Sequence, residues 1–197
     1  MDGFSEIGPK GKPVREPAPP APSEQQGNPT PANPRDAVAG NGLFLGRRAR
    51  EDQLHYPTMS VRVAGTETIV TEGIFNHPVM VVNRPADMPG VADLCVITSL
   101  HNVNIQDVRS DKAFASHIPL AGASHPHAQF DSRYAPLTFI NGARFDKPSS
   151  VNAGRILRVD FELLETHKLA PTSLNALKLT DESLQRLLSI CKDLAKS

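Results

Sequence analysis

Pro78-Val79-Met80-Val81-Val82 and, past a loop carrying Pro85 and Pro89, Leu94-Cys95-Val96-Ile97-Thr98-Ser99 are the two stretches around which the chain must fold. Both are short apolar runs rich in β-branched residues and bounded by turn formers, the pattern of buried strands rather than of helices. Short runs of similar texture surround them. Met59–Val63 alternates apolar and polar residues, and Thr66–Thr71 is rich in β-branched side chains that suit a pleated surface. His117–Leu120, Leu137–Ile140, Ser150-Val151 and Leu157–Leu164 complete the set. Asn141-Gly142 reads as a type I′ hairpin turn with Arg144-Phe145 as its return arm, since both residues tolerate positive φ.

The end of the chain changes period. Leu184, Leu187, Leu188, Cys191 and Leu194 recur at helical spacing and form one apolar stripe. Thr180 is a good N-cap, and Asp181 and Glu182 stand in the first turn, where the helix dipole favours negative charge. A helix over 181–195 follows. About seven short strands and one packed helix predict a mostly β (β+α) domain, a small barrel with the helix across one end or edge.

Ahead of this domain the composition is different. Pro9, Pro13, Pro17, Pro19, Pro20, Pro22, Pro29, Pro31 and Pro34, half of the chain's 18 prolines, fall in a stretch with few large apolar residues. Such a segment buries too little surface to offset the entropy of ordering its backbone. Residues 1–41 are therefore expected to be a disordered proline-rich tail, 42–54 a linker, and 55–197 the domain. Leu43, Phe44 and Leu45 in the linker could dock on that domain, and the arginines of Gly46-Arg47-Arg48-Ala49-Arg50 read as solvated, given Glu51 and Asp52 beside them.

Charge and cysteine content narrow the function. Lys+Arg and Asp+Glu are equal at 21 each. The part from His55 onward balances in the same way, which argues against a surface built to coat nucleic acid. Cys95 and Cys191 sit in apolar contexts and read as buried reduced thiols, with no cysteine framework for secretion. No stretch approaches a membrane span, and the N-terminus has no apolar signal region. The location expected is cytoplasmic or nuclear, with no membrane partner.

Few residues offer chemistry. No glycine-rich phosphate loop, nucleophile elbow or dinucleotide fingerprint is present. His125-Pro126-His127, with His117 and Asp131, could approach a metal site, but no zinc spacing supports it and no metal or cofactor is expected.

One order of residues stands out. Phe75-Asn76-His77-Pro78 leads into an apolar strand, Cys95-Val96-Ile97-Thr98-Ser99 forms another, Ile118-Pro119-Leu120 comes later, and a closing strand and helix end the chain. This order resembles the PemK/MazF-like family, SH3-like small barrels of bacterial toxin endoribonucleases; the same pattern looks like a group of fungal proteins with proline-rich leaders. The resemblance implies a PemK-like barrel and a site made by the residue before the proline and the Thr of the second strand, here His77 and Thr98. In that family the first position is normally Arg. Arginine is a permanent bidentate phosphate clamp, whereas histidine transfers protons but is mostly neutral at pH 7. Lys147, Ser150 and Asn152, from Lys147-Pro148-Ser149-Ser150-Val151-Asn152, form a second polar group that could face the same cleft. The competing account has His77 fix the turn before its strand and Thr98 close a ladder edge. With the clamp and a basic surface both missing, the expected function is a non-catalytic binding or accessory module for a protein or small ligand. The alternative is a metal-independent endoribonuclease acting on RNA. The resemblance also implies pairing into a homodimer.

Overall fold

The computed structural model describes residues 38–55, 61–99, 115–122, 134–145, 147–165 and 177–196. The proline-rich tail up to residue 37 and His125, His127 and Asp131 lie outside the described residues. Among the described residues, six strands and two α-helices follow in chain order. They are β1 (Gly42–Leu45), α1 (Arg47–His55), β2 (Arg62–Val63), β3 (His77–Asn83), β4 (Val91–Thr98), β5 (His117–Pro119), β6 (Ser150–Asp160) and α2 (Asp181–Leu194).

All strand pairs are antiparallel, in the order β1-β3-β4-β6-β2. β5 also pairs with β6, on the edge that β6 shares with β2: β5 takes Ser150–Asn152 and β2 takes Leu157 and Arg158. The two apolar runs are the neighbouring central strands β3 and β4, with Val79 opposite Val96 and Met80 opposite Cys95. Their near-continuous apolar character has a direct cause: both faces of the sheet are covered. On the first face Leu43, Leu45, Val79, Val81, Leu94 and Leu157 pack under Ala49 of α1 and under Val61, Val70 and Ile74. On the second face Met80, Cys95, Ile97, Val151 and Ile118 pack under α2 through Leu187 and Cys191. Each Leu, Ile, Val or Met side chain among these contributes roughly 1.5–3 kcal/mol on leaving water.

The small barrel expected from the strand count, closed or half-open, is not closed. The sheet is open, and among the described residues the path from β5 back to β1 is made by single bridges, Leu120 with Leu137, Phe139 with Leu179, and Lys178 with Asn41. Three local expectations also change. Asn141-Gly142 does not make a type I′ turn, because among these two only Gly142 has positive φ (66°). The segment turns instead as a 3₁₀-helix over Ile140–Gly142, held where Ile140 N–H donates to Lys178 O and Phe139 bridges Leu179. Partners distant in sequence override the local hairpin preference. Thr66–Thr71 contributes one bridge, Ile69 to Arg62, after a turn in which Gly65 has φ 77° and Thr66 Oγ1 donates to Val63 O. Ser150-Val151 and the start of Leu157–Leu164 join into one eleven-residue strand, and Phe161–Leu163 turns as a 3₁₀-helix.

The stretch expected to be a linker carries β1 and α1. Leu43, Leu45 and Ala49 are all fully buried, so β1 and one side of α1 contribute to the first-face core. Phe44 and Glu165 exchange both backbone hydrogen bonds at 2.9 Å, which sets the buried Glu165 carboxylate against Gly46 at the start of α1. A β-carbon on Gly46 would lie 2.5 Å from Glu165 Oε2 and 2.8 Å from its Cδ. Glu165 is 5% exposed, so its carboxylate has little free space to turn into. Gly46→Ala is therefore expected to lower the unfolding free energy by about 2 kcal/mol, the usual scale of an overpacked interior. Urea titration followed by circular dichroism checks this, and a change below about 0.5 kcal/mol refutes the tight fit.

The terminal helix follows the sequence closely. Thr180 is its N-cap, Thr180 Oγ1 accepting from Ser183 N–H at 3.3 Å, and Asp181 and Glu182 occupy the first turn. It ends at Leu194, one residue before the expected boundary.

β6 is irregular opposite β4. Two steps along β4, from Cys95 to Ile97, correspond to five along β6, from Ile156 to Val151, so three residues of β6 are extra on that side. The bulge falls at Asn152–Arg155. Gly154 N–H donates to Asn152 Oδ1 at 3.1 Å, and a β-carbon on Gly154 would meet Ser116 Cβ at 2.6 Å. Only glycine fits there.

Candidate functional site

Four of the five residues singled out in the sequence share one face of the sheet. Thr98 of β4 stands directly opposite Ser150 of β6, and Ser150 in turn opposes Pro119 of β5. Residues directly opposite in an antiparallel pair present their side chains on the same face. Thr98 is two residues from Val96 and four from Leu94, both in the first-face core, so period-2 alternation puts the row on that face. His77 pairs with Leu45 of β1. Carried two residues beyond Val79–Val96, the β3–β4 register sets His77 level with Thr98. His77 also alternates with Val79 and Val81, again on the first face.

Asn152 adds a second row, since it stands opposite His117 of β5. The apolar first face thus ends, across β3, β4, β6 and β5, in a polar patch of His77, Thr98, Ser150, Asn152 and His117. His77, Thr98 and Asn152 are half-buried, whereas Ser150 and His117 are 1% and 2% exposed. His117 Nδ1 lies 3.3 Å from Ser116 Oγ. Ser150 Oγ is sealed without a hydrogen-bond partner among the described residues. An unmet buried hydroxyl costs about 1–3 kcal/mol, a strain that folds tend to retain where a ligand or ordered water completes the bond.

Two local devices place these groups. Asn76 takes positive φ (62°), and its N–H donates to Leu45 O at 2.7 Å, which turns the chain so that His77-Pro78 enter β3 beside β1. Asparagine accepts this conformation more readily than most residues. The bulge in β6 turns Ser150 and Asn152 toward the side that Leu157 and Val159 face farther along the strand. Part of Asn152 is spent on the bulge itself, through the Oδ1 that Gly154 N–H engages.

Lys147 does not join the rows. It is exposed, precedes β6, and its backbone carbonyl accepts from Ser149 Oγ at 3.0 Å. The register positions of the patch therefore hold hydroxyls, an amide and two imidazoles, with no lysine or arginine among them. His117, read in the sequence only as a possible metal ligand, belongs to the patch through its pairing with Asn152; the alternation of His117-Ile118-Pro119 was the signal for it. No group of three or more His, Cys, Asp or Glu among the described residues is arranged to hold a metal ion.

Away from the patch, an ion pair that no sequence motif signals joins β4 and β6. Arg158 Nε donates to Asp93 Oδ1 at 2.8 Å and its Nη2 to Oδ2 at 3.0 Å, and Asn83 Nδ2 donates to Oδ2 at 3.2 Å. The hydrogen bond to Asp93 raises the Arg158 guanidinium above its ordinary value. This pair clamps strands and faces away from the patch, since Asp93 alternates with Cys95 on the second face.

Comparison of the chain with protein-family models, with curated proteins and with solved structures finds no match. No helix among the described residues is long and apolar enough to cross a membrane.

Proposed function

We propose that this chain is a non-catalytic binding module whose polar patch hydrogen-bonds an uncharged segment of a partner protein. The observation that carries the reading is the register pair Thr98–Ser150, with Asn152–His117 beside it: hydroxyls and an amide in adjacent rows at the end of an otherwise apolar face. Hydroxyl and amide groups both donate and accept, which matches the one donor and one acceptor of each peptide unit. A row without lysine or arginine suits such a neutral ligand better than a phosphate. The proline-rich tail would act as a tether or as a docking segment for an aromatic-lined groove. A cytoplasmic or nuclear location fits this role.

A display library of unstructured peptides, selected on the full chain, tests the proposal. Enriched peptides are expected to lose at least tenfold in affinity with Thr98→Val or Asn152→Leu, the loss of one or two hydrogen bonds. Variants that keep the native circular dichroism yet bind every selected peptide unchanged would refute it.

A second reading has one specific support. The two positions that resemble the catalytic pair of the PemK/MazF-like ribonucleases, His77 and Thr98, come level in register. In that reading His77 moves the proton of a ribose 2′-hydroxyl and Thr98 donates to the developing phosphate charge. The chain would cleave single-stranded RNA in the presence of a chelator, and both His77→Ala and Thr98→Ala would abolish cleavage. RNA left intact at large protein excess removes this reading and leaves the binding module standing.

A further inference from the structure

The second-face core holds a feature that neither reading uses. Cys95, in the middle of β4, and Cys191, in the last turns of α2, are 96 residues apart in sequence, yet their sulfurs lie 3.8 Å apart. Both are free thiols, and they are the chain's 2 cysteines, so each has one candidate partner. A disulfide needs its sulfurs about 2.05 Å apart, which small side-chain rotations and a slight settling of α2 toward the sheet can supply.

We infer that Cys95 and Cys191 form a modification site: a thiol pair that a hydroperoxide converts to an intramolecular disulfide tying α2 to the centre of the sheet. The two thiols are not equivalent. Cys95 is fully enclosed, whereas Cys191 is 4% exposed and stands three residues before the end of α2, beside the exposed Lys192 and Asp193. The hydrogen bond between them holds the Cys191 thiol below its ordinary value, while that bond and burial push the Cys95 thiol well above. Cys191 is therefore the attacking sulfur, and fraying at the end of α2 admits the oxidant.

The chemistry balances in two steps. The Cys191 thiolate attacks one peroxide oxygen; an S–O bond forms, the O–O bond breaks, and the departing hydroxide takes a proton to become water. Cys95 sulfur then attacks the Cys191 sulfenic sulfur; the S–S bond forms, the S–O bond breaks, and the leaving hydroxide takes the Cys95 proton as a second water. Two electrons leave the two sulfurs and reduce one peroxide.

Hydrogen peroxide titrated into the fully reduced full-length chain tests this, with intact mass read under denaturing, non-reducing conditions. The expected product has lost two hydrogens, about 2 Da, with no added oxygen, and dithiothreitol reverses the change. Peptide mapping joins the Cys95 and Cys191 segments. The thermal midpoint rises by several degrees, because the new bond closes a long loop in the unfolded chain. In Cys191→Ser, Cys95 stays unmodified at the same peroxide dose. Two thiols still free to alkylation after treatment, oxygen added to one cysteine without crosslinking, or covalent dimers as the main product would each overturn the inference. If Cys191→Ser fails to fold, the mass and mapping of the native chain decide alone.

Discussion

Arg158→Ala is expected to lower the unfolding free energy by about 3–4 kcal/mol, more than Asp93→Ala does. The asymmetry comes from burial. Asp93 has a side chain 8% exposed and relies on Arg158 for two hydrogen bonds, whereas the Arg158 side chain is 28% exposed. Removing the arginine leaves a carboxylate enclosed with Asn83 Nδ2 as its remaining side-chain partner among the described residues, the costly way to break an interior ion pair. Removing the aspartate leaves a guanidinium that can turn to water, a loss nearer 1–2 kcal/mol. The double variant should cost less than the sum of the singles, since each removes the partner that the other misses. Urea unfolding of all four proteins gives the cycle; a larger loss for Asp93→Ala than for Arg158→Ala contradicts the assignment of Asp93 as the enclosed member.

Leu187→Ala is the other large effect, about 3–4 kcal/mol. Leu187 is fully buried and, with Cys191, carries α2 into the second-face core that also holds Leu179. The cavity left by truncation opens between a helix and a central sheet, where relaxation from either side is limited. Leu54 of α1 provides the control. It is 75% exposed, and Leu54→Ala should change stability by no more than about 0.5 kcal/mol. Circular dichroism is the suitable signal, because the chain has no tryptophan and 2 tyrosines. A loss below about 1 kcal/mol for Leu187→Ala would mean that α2 is not docked on the sheet.

The sequence was most legible where the cause of structure is local. The α2 stripe, its Thr180 cap and the two central strands follow from period, capping and composition, and each is found where expected. The covering of both faces was harder to read, because β1 and α1 come from residues 42–55, whose arginine-rich surface conceals three fully buried side chains, Leu43, Leu45 and Ala49. The Asn141-Gly142 hairpin failed for a related reason: the residues that decide that turn, Lys178 and Leu179, lie nearly forty positions away. Within the candidate site, His77 and Thr98 came from family resemblance, and Ser150 and Asn152 from polarity. Their common face could not be read from alternation along the strand, because Ser150 and Asn152 differ in parity from Leu157 and Val159.

That difference shows what the irregularity in β6 does. With strict alternation from Leu157 back to the start of the strand, Val151 would share the side of Leu157, and Ser150 and Asn152 would turn inward against α2, trading an apolar contact for two stranded polar groups. The break at Gly154 acts as a phase reversal, letting one continuous strand show opposite parities at its two ends. A chain one residue shorter between Asn152 and Ile156 would need no reversal and would still present the same sides. Length is thus negotiable at this point, while the residue at 154 is not.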